Sequence, residues 1–193
     1  MQVNIRKIDG NWDAGYVLDK HSIHSELVGH NDYGHPVWNT TRSEAGEALF
    51  QLKYRGNFDM VEPIAAELAQ SIYPRFGDVG LIVPMPASNH RNRQPVTEIA
   101  EALGRIVKKP VFEEMLTKTA NGQQLKDLST KAEKQAALAD SFTLHEGIRN
   151  EGCWNALLID DLYHTGASLE TACAALRGYT KIGRIFVAAV TWR

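Results

Sequence analysis

Residues 156–172 read ALLIDDLYHTGASLETA and constrain the fold more than any other stretch of the chain. Ala156, Leu157, Leu158 and Ile159 form an unbroken apolar run, which predicts a strand covered on both faces. Asp160 and Asp161 follow, and then a loop at 162–168 containing Tyr163, His164, Thr165 and Gly166. Leu169, Ala172, Cys173 and Leu176 recur at helical spacing, so a helix starts straight after the loop. A buried strand that runs into a loop and a helix delivers the two acids to the carboxyl edge of a sheet. There they can accept from sugar hydroxyls or help hold a hard cation. Loop N–H groups and the positive end of the helix suit a phosphate, and Thr165 and Ser168 add hydroxyl donors. Gly166 lets the backbone come close. Strand, acids, loop and helix together form a device for a phosphorylated ribose. The plain alternative is a buried strand ending in two solvated aspartates, which suits a lone Asp-Asp better than this ordered string.

The rest of the chain alternates strand and helix signals. Residues 2–9 and 12–19 read as strands around an Asp9-Gly10-Asn11 turn. Residues 20–36 are polar and carry His21, His24, His30 and His35. Their spacing matches no common metal site, so a loop with solvated imidazoles is favoured over a metal cluster. Val37 and Trp38 suggest a short strand. Thr41 or Ser43 caps a helix with Glu44 and Glu47 in its first turns, an apolar face of Ala45, Ala48, Leu49 and Leu52, and a stop at Gly56. A second amphipathic helix spans 58–73, closed by Pro74, and a third spans 95–107. GLIVPMP at 80–86 is a strand running into a proline-framed loop, followed by small and then basic residues at 87–93. Pro110, Val111 and Phe112 suggest a strand, 113–128 a lid without period, 129–139 a polar helix, 141–144 a strand, and 183–190 a last buried strand.

This alternation predicts an α/β fold, a parallel sheet with helices on both faces and right-handed crossovers. We expect one domain over 1–193, with about 1–40 as a small hood and 41–193 as the core. The loop after Pro84 and the loop after Asp160 then share one rim.

A net charge of −2 and a pI near 6.4 argue against a dedicated binder of nucleic acid or of an anionic membrane. Cys153 and Cys173 lie in no CxxC pair, which removes a cysteine-rich zinc site and suits a reducing, cytoplasmic compartment. No apolar run approaches a membrane span, and MQVNIRKID lacks the apolar core of a signal peptide.

The 156–172 string resembles the PRPP-binding motif of type I phosphoribosyltransferases. Further stretches are similar to one branch of them, the ComF/GntX-like group: LKYRG at 52–56, IVPMP at 82–86, NHRNRQPVTEIAEAL at 89–103, and the 118–142 segment. The resemblance covers 49–193. The chain departs from that branch in lacking its four-cysteine zinc module, in carrying RNRQPV at 91–96 where the branch has an RGFNQ-like loop, and in His164-Thr165 where Thr-Thr is usual.

The resemblance implies displacement of pyrophosphate from C1 of PRPP by a ring nitrogen, through an oxocarbenium-like transition state, with Mg²⁺ as cofactor. It assigns Asp160 and Asp161 to the ribose hydroxyls and the metal, directly or through water or substrate. Tyr163, Thr165, Gly166, Ala167 and Ser168 would wrap the 5-phosphate. Met85, Ala87 and Ser88 would give backbone donors to pyrophosphate, where a non-proline cis or strained peptide is expected. Arg91 and Arg93 are candidates for the leaving group, and Lys126 on the lid is a weaker one. His164 stands where the 6-oxopurine enzymes of this superfamily carry an acid/base aspartate, so it is either a proton-exchanging catalytic group or a donor facing phosphate or solvent. Trp38 and Tyr54 could stack on a base but fit core or edge aromatics better. Partners are PRPP and a small-molecule acceptor, and a homodimer is in keeping with the superfamily. The competing reading is a PRPP- or nucleotide-sensing module, regulatory or in defence, that binds without turnover.

Overall fold

The computed structural model describes residues 1–87, 91–118 and 141–193. Its central sheet is built from β1 (Arg6–Lys7), β2 (Ala14–Lys20), β5 (Leu81–Pro84), β8 (Trp154–Tyr163) and β9 (Ile182–Trp192), in the order β1-β2-β9-β8-β5. All neighbours are parallel except β1, which runs antiparallel to β2 at the edge. Leu158 sits between Val83 and Val187, which sets the register of the three inner strands. Beyond β5, Val111 makes a single parallel bridge to Ile82: Ile82 N donates to Pro110 O and Phe112 N to Ile82 O, both at 2.9 Å. Leu157, Leu158, Ile159, Val187, Ala189 and Val190 are buried, as continuous apolar strands covered on both faces must be. Each such aliphatic side chain contributes roughly 1.5–3 kcal/mol by leaving water.

Two crossovers run in opposite directions across this sheet. From β5 the chain passes through α3 (Pro95–Val107) outward to Val111, and from β8 it passes through α4 (Ala167–Arg177) inward to β9. Right-handed crossovers of opposite direction place α3 and α4 on opposite faces. The sheet is therefore an α/β layer with helices on both sides, as its apolar strands predict.

Helix α1 (Glu44–Arg55) packs on β2 and β9. Ser43 caps it, accepting from Gly46 N at 2.9 Å while its hydroxyl donates to Lys20 O at 2.5 Å. Gly56 closes it in the left-handed region at φ 66. Gly46 is required by a close approach, since a Cβ there would collide with the carbonyl oxygen of His21. Helix α2 (Val61–Glu67) is shorter than the 58–73 helix predicted. A 3-10 turn (Phe58–Met60) precedes it, and a π turn (Leu68–Ile72) and a second 3-10 turn (Tyr73–Arg75) rewind its end, where Pro74 has no N–H to continue the ladder.

Several expectations need correction. Residues 14–20, assigned to the hood from composition, form β2 in the central sheet. Within residues 1–42 only β3 (Ser22–His30) and β4 (Pro36–Arg42) stand apart from that sheet, as an antiparallel hairpin. The 20–36 segment is thus mainly strand and turn, not loop. His24, His30 and His35 are exposed, while His21 is buried with Nδ1 3.1 Å from Thr191 Oγ1. Within the expected lid, β6 (Leu116–Lys118) pairs with β7 (Phe142–Leu144), and α4 packs on that ribbon. Cys153 is exposed, whereas burial pushes the Cys173 thiol up to about 12. The remainder of the lid and the 129–139 helix, with Lys126, lie outside the described residues. Among those residues no helix is long and apolar enough to cross a membrane.

Candidate active site

The fold itself selects a position. From β5 the chain steps outward to Val111, while the strand on the other side of β5 is β8. Strand order reverses between β5 and β8, and at such a switch point a crevice opens beyond the carboxyl ends of the strands. A cleft of about 210 Å³ lies there. Met85 and Ala87, which follow β5, form one wall; Asp160 and Asp161 on β8 form another. Pro95 and Val96 bring the first turn of α3, whose unpaired N–H groups and positive dipole end favour an anion. Lys53 on α1 and Arg91 complete the cationic side.

The acids lie inside β8 rather than after it. The ladder to β9 continues through Asp160↔Ala189 and Leu162↔Thr191 to Tyr163↔Trp192. Pairing to β5 stops at Pro84↔Ile159, with Met85 N donating to Ile159 O at 2.8 Å. From Asp160 onward β8 therefore has β9 on one side and the cleft on the other. Lysines act on both acids, and Lys53 acts on the two of them. Asp161 Oδ2 lies 2.5 Å from Lys53 Nζ. Asp160 is influenced by Lys118 at the end of β6. Burial and the neighbouring Asp161 charge push the Asp160 carboxyl up to about 7, against Asp161 N, which donates to its Oδ1 at 2.8 Å, and against Lys53 and Lys118. Burial lowers the Lys118 ammonium, with Asp160 opposing.

Of the expected site residues, Met85, Ala87, Arg91, Asp160 and Asp161 are brought together in this cleft. Arg93 is not. Its Nε and Nη2 donate to the two Glu98 carboxylate oxygens at 2.7 Å each, and its guanidinium lies 3.8 Å from the Phe58 ring centroid. Arg91 Nη1 donates to Lys53 O at 3.0 Å, tying the loop after β5 to α1. Met85 to Ala87 contain no cis peptide and no left-handed residue, so the strained peptide expected there is absent among the described residues. Ser88 lies outside them.

The expected phosphate loop is shorter than the sequence suggests, because Leu162 and Tyr163 belong to β8. His164, Thr165 and Gly166 alone connect it to α4. Gly166 caps α4 at φ 79, buried beneath Tyr163 and Trp12, whose rings meet edge to face at 6.5 Å. His164, Thr165 and Ser168 are exposed, and residues 163–168 do not line the cleft that holds the acids. Ala167 opens α4.

Lys53 and Lys118 were missed in the sequence. Lys53 lies within LKYRG, and its signal was a lone lysine in the last turn of a helix whose apolar face is already complete. Lys118 carried no signal, since its partner Asp160 is distant in the chain. Trp38 and Tyr54 are exposed rather than core, and Tyr54 lines a second cleft together with Phe50. Among the described residues no group of three or more His, Cys, Asp or Glu side chains could hold a metal ion by itself.

No known family profile matches the chain, and no curated protein matches it. Among solved structures it is similar to adenine phosphoribosyltransferase from Leishmania donovani, at 9% identity over 97% of this chain and 86% of that one, with a TM-score of 0.47. It is similar to a hypoxanthine phosphoribosyltransferase from Staphylococcus aureus, at 9% identity over 70% and 65%, with a TM-score of 0.40. It is also similar to UMP synthase from Leishmania donovani, at 15% identity and a TM-score of 0.41, covering 84% of this chain but 28% of that one. At such values the likeness is one of architecture only, and a functional reading has to stand on the residues of the cleft.

Proposed function

We propose that this chain is a phosphoribosyltransferase of type I, similar to the ComF/GntX-like branch and acting in the cytoplasm. It transfers the phosphoribosyl group of PRPP to a nucleobase-like acceptor. One observation carries the reading. A single cleft at the sheet's switch point joins two adjacent carboxylates on β8 to Lys53, Arg91 and the first turn of α3. Such a site offers acceptors to a polyhydroxylated ring and donors to a polyanion side by side.

In the reaction, the bond from C1 to the pyrophosphate oxygen breaks as a bond from C1 to the acceptor nitrogen forms. Pyrophosphate leaves, and the acceptor's N–H proton passes to a base. Asp160 and Asp161 hold the ribose hydroxyls, and their negative charge stabilises the cationic character developing at C1. Lys53, Arg91, the α3 N-terminus and the backbone of Met85 and Ala87 receive the charge of the leaving group. Ser88 is assigned to the same role from its place in the sequence. Tyr163 and the short turn of Thr165 and Gly166, with Ala167 and Ser168 opening α4, take the 5-phosphate, and His164 is assigned from its place in the sequence to exchange the acceptor proton. Arg93, engaged by Glu98, holds the first turn of α3 in position.

Mg²⁺ fits the acid pair. Two neighbouring carboxylates, one pushed up to about 7 by burial and by the other's charge, present hard oxygens whose repulsion a divalent cation relieves. Two protein ligands suffice for an ion that keeps water and phosphate oxygens. When bound at Asp160 and Asp161, it would supply charge neutralisation to the leaving group.

Calorimetric titration with PRPP and Mg²⁺ tests this, with the Asp160→Asn/Asp161→Asn double variant as control. Binding by the parent and its loss in the double variant is the expected result. No binding by the parent refutes the proposal. Binding with no pyrophosphate release across a nucleobase panel turns the reading to a sensor.

A further inference from the structure

A second cleft, of about 500 Å³, opens between the β3–β4 hairpin, α1 and the end of β9. Its volume suits a small organic ligand. It borders the first cleft through the backbone of β8. Thr191 Oγ1 donates to Asp161 O at 3.2 Å and lies 3.1 Å from His21 Nδ1, and Arg193 N donates to Tyr163 O at 3.0 Å. His21 and Arg193 line the second cleft.

Its chemistry is one-sided. Three cationic side chains face it, Lys20, Arg42 and Arg193, and no Asp or Glu side chain among the described residues does. That is a local excess in a chain whose net charge is −2. Lys20 and Arg193 have no carboxylate partner among the described residues. Lys20 Nζ stands 5.6 Å from the centroid of the Trp192 ring. Arg42 lies flat on Phe50, 3.8 Å from its centroid, and gives one Nη to Glu47 at 3.3 Å. Among the described residues its Nε is buried with no hydrogen-bond partner, and such a group normally finds one. Phe50, Tyr54 and Trp192 supply flat apolar surface. His21 is held below its ordinary value by burial and then by Arg193, Arg42 and Lys53, with Asp161 opposing, as a positive surrounding requires.

Given a phosphoribosyl donor in the first cleft, as proposed above, we propose that the second cleft is the acceptor site and that it selects a planar heteroaromatic ring bearing a carboxylate. The aromatic side chains cover the ring. Lys20, Arg42 and Arg193 take the carboxylate. A neutral base leaves those cations unanswered and is rejected for that reason.

The test uses matched pairs, orotate against uracil and nicotinate against nicotinamide. Each is titrated into protein saturated with ribose 5-phosphate, pyrophosphate and Mg²⁺, the unreactive halves of the donor. The acid of at least one pair binds tighter than its neutral partner by roughly tenfold or more, and Lys20→Gln and Arg42→Gln each remove that preference. Lys20 is exposed, so its variant reports even where Arg42→Gln disturbs the packing on Phe50. Equal affinity within both pairs, no binding of any of the four, or a preference unchanged in Lys20→Gln overturns the inference. PRPP is titrated separately into the parent. If PRPP binds and the acids are not preferred, the acceptor assignment alone falls. If PRPP does not bind, the phosphoribosyl reading falls with it.

Discussion

Lys53 and Asp161 offer the sharpest quantitative test of the site. Their charged atoms are 2.5 Å apart, and the side chains are 23% and 15% exposed. Fully exposed pairs contribute about 0.2–1 kcal/mol, whereas breaking a buried pair costs about 3–5 kcal/mol. Exposures of this size place the coupling between those limits, at about 1–2 kcal/mol. The removal of Lys53 does further harm, because Asp160 loses one of the two cations that oppose its burial and its neighbour's charge. Lys53→Met should therefore cost about 2 kcal/mol, which in a chain of 193 residues lowers Tm by about 4–8 °C. Asp161→Asn alone should cost less, since it also relieves the repulsion within the acid pair. The assay is urea unfolding of the parent, both single variants and the double variant, at about pH 7.5 with chelator and no ligand. A coupling below about 0.3 kcal/mol, the level at which independent sites simply add, would refute the placement of Lys53 at the acid pair.

Three further outcomes derive from the geometry. Gly46→Ala should destabilise by about 1–3 kcal/mol, although alanine is the better helix former, because the new methyl group meets the His21 carbonyl; thermal melts that show a rise in Tm would contradict this. The pH profile of stability between about 5 and 7 should tilt in opposite directions in two variants, each taken relative to the parent. Because His21 is depressed by burial, its contribution is lost as pH falls below its ordinary 6.5, and because Asp160 is raised, its contribution is lost as pH climbs from 3.8 towards about 7. His21→Asn should then lose stability with rising pH, Asp160→Asn should gain it, and parallel profiles would sink both assignments. Iodoacetamide should label Cys153 and leave Cys173 unmodified in the native protein, and mass spectrometry showing equal labelling would place Cys173 outside the core.

The sequence showed the centre of the fold well and its margins poorly, for physical reasons. Four consecutive apolar residues at 156–159 admit a buried strand, but the same signal stops at Asp160, although the ladder to β9 runs on to Tyr163. Polar residues at a sheet's rim need no apolar partner, so hydropathy ends the strand early and makes the loop too long. The β3–β4 hairpin was hidden for the opposite reason. It has no core face, and Ile23, Leu27, Val28 and Trp38 are all exposed, so no alternation marked its length and only Val37 and Trp38 pointed to a strand. Within the first cleft, Asp160, Asp161, Met85, Ala87 and Arg91 were legible because each belongs to a local motif. Arg93 carried the same signal as Arg91, yet Glu98, five residues on, captures it. Lys53 and Lys118 reach the acids only through the folded chain, which no local pattern reports.

Helix α1 is shared between the two clefts. It presses on the His21 carbonyl at Gly46 with no room to spare, and it carries Lys53 to the first cleft and Phe50 and Tyr54 to the second. One rigid element is thus a wall of both. A ligand that shifted α1 from one cleft would shift a wall of the other, and such linkage is reciprocal. Whatever factor occupancy of one cleft applied to affinity at the other would be returned in equal measure.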